Sequence, residues 1–389
     1  MKFPSLYLKL TIAAFLVMLA YSIIRPLLPI FARNLDPTQT LVGFCVSSFF
    51  VARIFFEFPS GVLLYKVGVR KFIILGLFLG FFRRISMRFL LHYLYTYIGN
   101  EFWGLGTAIF FMGNISTIIN IFDAHILGTA LGIYQGVEFI GQFVGPPLGG
   151  FLAEQMGFSF PFYLSGGLTA ISLLIVSTSG SLKRLNVYSG GETANISLRK
   201  TLGGLRNRRL LAISVINFSR MFINYGVVST VLPLYLYDFL RFNVGFIGVI
   251  LGVRSLGLCF AIFSSGVMSD KIGRKPVASI GILVSSLCIY SYTMVSSPLA
   301  LLLIGFFDGW GMGMIQIAIW ALLPEQVASE YMGGAIGLFR TFMDAGAVAG
   351  PILTLPIQLT FGTNNVFLSG ATILSAMILS LLVASEHKT

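Results

Sequence analysis

The sequence predicts an all-α integral membrane protein with twelve transmembrane helices, arranged as two six-helix repeats with both termini in the cytoplasm. Composition, the spacing of apolar runs and an internal repeat each point to it. Of the 389 residues, 56% are hydrophobic and only 10% are charged, and the mean hydropathy is +0.88. Soluble chains carry about 25% charged residues, so this composition belongs in lipid. The formal net charge of +12 raises the question of nucleic acid. The basic residues sit in short clusters between apolar runs, as topology signals do, so no nucleic-acid partner is expected.

A spanning helix needs about 20 mostly apolar residues. Runs of that scale fall at 8–31, 39–64, 71–91, 96–121, 128–153 and 158–180, then at 211–236, 242–267, 277–297, 299–322, 333–357 and 365–384. The first run continues past Arg25 to Phe31 with no small-residue cleavage site, so it reads as a span and not as a signal peptide. The polar stretch 181–210 separates an N-terminal bundle, 1–180, from a C-terminal bundle, 211–389. With the N-terminus inside, sixteen Lys and Arg collect on one side, at Lys2, Lys9, the 66–71 loop, the 183–209 linker, the 271–275 loop and Lys388. Only Arg33 and Arg241 fall on the other side. Both termini and the linker therefore face the cytoplasm, and the basic linker reads as a solvated tether within reach of anionic headgroups. The expectation is a monomeric, multi-pass protein of the plasma membrane.

The two halves resemble each other. "SGVLLYKVGVRK" at 60–71 matches "SGVMSDKIGRKP" at 265–276, which pairs Gly61 with Gly266 and Gly68 with Gly273 at an offset of 205. The same offset carries Phe102, Gly104 and Gly106 onto Phe307, Gly309 and Gly311. It also carries Gly132, Gly141, Gly145 and Pro146 onto Gly337, Gly346, Gly350 and Pro351. One offset through three separated motifs indicates tandem duplication of a six-helix unit. Six spans return the chain to its starting side, so the repeats are parallel, about an axis along the membrane normal.

These motifs carry a family resemblance over essentially the whole chain. The sequence resembles the major facilitator superfamily, whose loop between helices 2 and 3 reads G-x-x-x-D-x-x-G-R-K. Gly266, Asp270, Gly273, Arg274 and Lys275 match its echo in the second half. The first copy keeps Gly61, Gly68, Arg70 and Lys71, with Tyr65 in the place of Asp. In the family this loop latches the cytoplasmic side in the outward-open state. A second pattern, from helix 5 of the drug:proton antiporter branch, is met by Gly132, Gly141, Gly145, Pro146, Gly149 and Gly150. Close packing of a Gly-lined helix accounts for such a pattern as well. A third pattern, an Arg in helix 4 of many proton-coupled members, is replaced by Asn100, with Glu101 beside it.

Ionisable groups at membrane depth cost about 2.5–3.5 kcal/mol each on the insertion scale, so each is a functional candidate. Glu138 and Asp308 lead as proton carriers, with Glu101 a rival. Arg25, Arg220 and Arg254 are placed to meet an anionic substrate group or to pair with these acids. Tyr21, Asn114, Asn217, Asn224, Tyr225, Gln316 and Trp320 are candidate cavity liners. Arg53 and Glu57, and Arg340 and Asp344, stand four apart on helices 2 and 11. Either each pair neutralises itself on one helix face, or Glu57 meets Arg340 as an interdomain gate. Arg83, Arg84 and Arg88 share a face of helix 3, with Arg88 at the depth of Glu101.

No nucleotide-binding loop of the G-x-x-x-x-G-K-[ST] type occurs. The three histidines, His92, His125 and His387, are isolated. Cys45, Cys259 and Cys288 lie in apolar runs without metal-ligand spacing. Neither an enzyme nor an ATP-driven pump is expected, and no metal or cofactor is called for. The resemblance implies a secondary transporter of a small-molecule substrate working by alternating access. The helix 5 pattern favours proton-driven efflux, by antiport, of small organic or amphiphilic compounds. An uptake symporter for a small organic anion or sugar, and a non-transporting sensor, are the other readings.

Overall fold

A computed structural model describes residues 4–35, 42–89, 93–184, 207–327 and 332–383; within these, the side chains at 35, 56–66, 82–89, 93–98, 124, 183–184, 332–333 and 383 lie outside the description. The described residues are helical throughout, apart from short connections. The helices are α1 (Ser5–Ile24), α2 (Leu27–Leu35), α3 (Val42–Val67), α4 (Val69–Phe89), α5 (Tyr93–Ile121), α6 (Ala124–Met156), α7 (Ser159–Ser177) and α8 (Gly180–Arg184). They continue with α9 (Arg208–Phe239), α10 (Val244–Ile272), α11 (Arg274–Ser291), α12 (Pro298–Gln326), α13 (Met332–Phe361) and α14 (Thr363–Val383). Among the described residues, eight helices are long and apolar enough to cross a membrane. α6 is not among them, because it carries Gln135, Glu138, Gln142 and Glu154 besides its glycines and prolines.

Two features depart from the expected spans. The first run is not one helix: the chain turns at Arg25–Pro26 between α1 and α2, where proline has no N–H to continue the ladder. α9 is not α-helical throughout. It widens to π-helix at Ile223–Val231 and again at Tyr235–Phe239. Ser229 and Thr230 donate to the carbonyls of Asn224 and Tyr225, five residues back, at 2.7 Å each. Such insertions often mark functional sites.

The chain divides by its contacts into two units, Met1–Thr193 with Asn243–Gly248, and Ala194–Phe242 with Val249–Thr389. In the first, α1 packs on α6 and α7, α4 packs on α5 and α7, and α3 packs on α5. Its core gathers Leu10, Phe72, Ile73, Phe110, Ile118 and Val176. In the second, α9 packs on α13 and α14, and α11 on α12 and α14.

Glycine contacts repeat between the units at the offset of 205. A Cβ on Gly104 would strike the Phe49 carbonyl, and one on Gly309 the Arg254 carbonyl. Gly106 lies against Gly76 and Gly80; Gly311 lies against Gly281 and Ser285. Lipid tails supply no hydrophobic drive for helix pairing, so close backbone approach of this kind does the work. The helix junctions repeat too. Gly68 and Gly273 have φ of 86° and 90°, and Gly157 and Gly362 have 82° and 85°. Only glycine takes that conformation without strain.

Candidate functional site

α6 carries the Gly-Pro stretch, and its glycines divide by face. Gly141, Gly145 and Gly149, four apart, lie against α1 at Leu19, Ser22 and Ile23, so close that an added Cβ would collide with backbone. Gly150 points elsewhere, onto Val244 and Gly245 at the start of α10. The Pro146 carbonyl lies against Gly248. Gly132 is different: a Cβ there would meet nothing, and the same holds for Gly337. Packing therefore does not account for Gly132. Gly346 and Gly350 repeat the α1 contact on α9, against Phe218 and Phe222.

Beside this seam the first unit holds a polar chain. Glu138, half-buried on α6, stands one turn after Tyr134 and faces its hydroxyl. Tyr134 is buried and also accepts from Asn114 Nδ2 of α5 at 3.2 Å. Tyr7 of α1 donates to the Ala130 carbonyl, another turn along α6, at 2.7 Å. Hydrogen bonds from α5 and α1 thus hold the stretch of α6 that precedes Glu138. Glu101 takes no part, since thirteen residues of α5 separate it from Asn114, about 20 Å. Its neighbour Asn100 is fully buried and donates to the Cys45 carbonyl of α3 at 2.8 Å. An amide that ties two helices stands at the position where the family pattern has Arg.

The second unit carries a different chemistry. Arg254 Nε of α10 donates to Asp308 Oδ2 of α12 at 2.6 Å, and both side chains are buried. Arg220 of α9, 3% exposed, donates to Gln316 Oε1 at 3.2 Å and Asn217 Oδ1 at 3.1 Å. Asn217 donates to the Phe339 carbonyl of α13 at 3.3 Å. Asn224 and Tyr225 are half-buried in the π segment that follows Arg220. Trp320 is half-buried, its ring edge-on to Phe339 at 4.9 Å. At the offset of 205, the ion pair Arg254–Asp308 stands where the first unit has Phe49 and Trp103, whose rings touch at 5.3 Å. Tyr21 joins that aromatic group at 4.9 Å from Trp103.

The remaining sites spread along the helices. Arg25 is half-buried at the α1–α2 break. Arg70 donates to the Ser177 carbonyl at the end of α7 at 2.9 Å, while Lys71 is exposed. Arg274 donates to the Ala321 carbonyl at 2.7 Å and pairs with Glu325. Gly266 and Lys275 are half-buried and Asp270 is exposed. Arg53 lies 6.0 Å from the Phe49 and Phe50 rings. Arg340 is half-buried and Asp344 buried, one turn apart on α13. The side chains of Glu57, Gly61, Arg83, Arg84 and Arg88, and most of the linker, lie outside the described residues.

Two participants escaped the sequence reading. Tyr134 stands four residues before Glu138, a spacing that puts both on one face. Glu154 accepts from Asn243 Nδ2 at 3.0 Å and from the Gly245 N–H at 3.2 Å, at the start of α10. Asn243 Oδ1 in turn accepts from the Phe246 N–H at 2.8 Å. An Asn three residues before an N–H it binds is an N-cap, legible in sequence.

The Major Facilitator Superfamily model matches residues 10–243 and 213–389. The chain belongs to the major facilitator superfamily. It is 26% identical over 344 residues to an uncharacterized MFS-type transporter of Methanocaldococcus jannaschii, covering 88% of each chain. It is also 26% identical over 247 residues to the multidrug resistance protein MdtG of Klebsiella pneumoniae, covering 63% of this chain and 59% of that protein. Among solved structures, a nucleoside transporter NupG matches with a TM-score of 0.80 at 16% identity, over 98% of this chain and 100% of that one. A D-xylose-proton symporter matches at 0.75 and 17% identity, over 98% and 97%. These two likenesses concern the fold. As an MFS member the chain is a multi-pass membrane transporter of small molecules and not an enzyme.

Proposed function

We propose that this MFS transporter is a proton-coupled exporter that moves small organic or amphiphilic compounds outward by antiport. It works by alternating access between two parallel six-helix repeats, 1–180 and 211–389, joined by the cytoplasmic linker 181–210, with both termini inside. The observation that carries the reading is Glu138, a carboxylate one turn from the buried Tyr134 within the membrane helix that bears the Gly-Pro seam. An acid at membrane depth beside a neutral hydroxyl, with no cation beside it among the described residues, is suited to gain and lose a proton. Similarity to MdtG points the same way for export.

Uptake by symport is the second reading, and Asn100 favours it, because the helix 4 Arg common in proton-coupled members is replaced by a helix-bridging amide. Flux in proteoliposomes separates the two. Vesicles holding the purified protein are loaded with ethidium or 2-naphthoate, and a pH gradient is imposed across the membrane. The proposal expects probe to move against the inward proton flow. Movement of probe in the same direction as protons would establish the symport reading instead.

A further inference from the structure

We propose that Arg220 and Arg254 hold the anionic group of the substrate, and that the substrate is a carboxylate-bearing amphiphile. This deepens the transporter reading above and rests on it. Arg220 is 3% exposed, yet its described hydrogen bonds go to two neutral amide oxygens, those of Gln316 and Asn217. Its Nε is buried without a partner among the described residues. The ionisable groups that act on it are Tyr225, a phenol, and Arg254, of the same sign as Arg220. Arg254 spends Nε on Asp308, and its Nη2 is buried without a partner. Among the described residues Asp308 pairs with Arg254, and the hydrogen bonds of Arg220 go to no carboxylate, which leaves one positive charge over.

A buried charge without a counter-charge is strongly unfavourable. A purely structural bridge from α9 to α12 needs no charge: a neutral donor reaches two amide oxygens as well. The excess points to a ligand that supplies the missing anion. A single surplus charge matches a monoanion. Each guanidinium keeps an N–H for a ligand, Nε of Arg220 and Nη2 of Arg254, and charge-assisted hydrogen bonds from guanidinium suit carboxylate oxygens. Depth agrees. Arg220 follows the start of α9 by twelve residues and Arg254 that of α10 by ten, about 18 Å and 15 Å along the helices. Gln316, bonded to Arg220, and Asn224 and Tyr225, about one turn further along α9, are all half-buried.

Binding of four probes to the purified full-length protein, without any gradient, tests this. The probes are 2-naphthoate, neutral 2-naphthylmethanol, cationic 2-naphthylmethylammonium and 2-naphthyl phosphate. Naphthoate should bind at least tenfold more tightly than each of the others. Arg220→Gln should weaken naphthoate tenfold or more and leave naphthylmethanol unchanged, which also reports an intact fold. Arg220→Lys keeps the charge, loses the fork and should fall between. Naphthoate that binds no better than naphthylmethanol, or that is indifferent to both Arg220 variants, overturns the site. Tighter binding of the phosphate overturns the carboxylate assignment. Because binding is read without flux, selective naphthoate binding alongside absent proton-driven flux would overturn the exporter reading and leave this site standing.

Discussion

Asp308 and Arg254 form a buried ion pair where the first unit has two aromatic rings. Removing one member strands the other. Asp308→Asn should therefore cost on the order of 3 kcal/mol, read as a lower midpoint in thermal unfolding of the detergent-solubilised protein. Replacing both, as Arg254→Met with Asp308→Leu, should recover most of that loss. A double variant as unstable as the single one would show that the pair does not act as a unit. Singly, these residues were legible in the sequence as intramembrane charges. Their pairing was not, since 54 residues separate them and only helix packing brings α10 against α12. Tyr134 shows the converse. A tyrosine in an apolar run reads as packing until Asn114 is found on its hydroxyl and Glu138 one turn away.

Among elements, α6 separates packing from other roles within one motif. Gly145→Leu or Gly149→Leu would drive a side chain into the α1 backbone at Ser22 or Ile23. Overpacking of this kind costs about 1–3 kcal/mol or more. Gly132→Ala meets open space and should stabilise the helix by about 0.5–1 kcal/mol. Thermal unfolding of the three variants decides it: equal destabilisation at all three positions would contradict the division of faces. The glycine spacing and the repeat offset were both present in the sequence, so the seams of α6 and α13 were open to inference. The direction of each glycine was not. Gly149 and Gly150 are adjacent yet touch α1 and α10 respectively. The π segments of α9 left no comparable mark, because no Pro-Gly signal announces a widened turn.

Across the whole molecule, one scaffold carries two chemistries. The glycine contacts and helix junctions recur at an offset of 205, while the polar groups on them do not. Glu138 has Met343 as its counterpart and Tyr134 has Phe339. The first unit sets a carboxylate beside a neutral hydroxyl, and the second pairs one guanidinium with a carboxylate and another with neutral amides. Duplication was readable because packing constrains small residues at fixed spacing. The divergent polar groups became readable as sites only once their partners were known. In this account the first unit handles the proton, through Glu138. The decisive measurement compares two fluxes of Glu138→Gln in proteoliposomes, with 2-naphthoate as probe. Exchange of labelled for unlabelled probe without a gradient should persist, while efflux driven by a pH gradient should be lost. Gradient-driven efflux that survives the substitution at the wild-type rate would contradict the account.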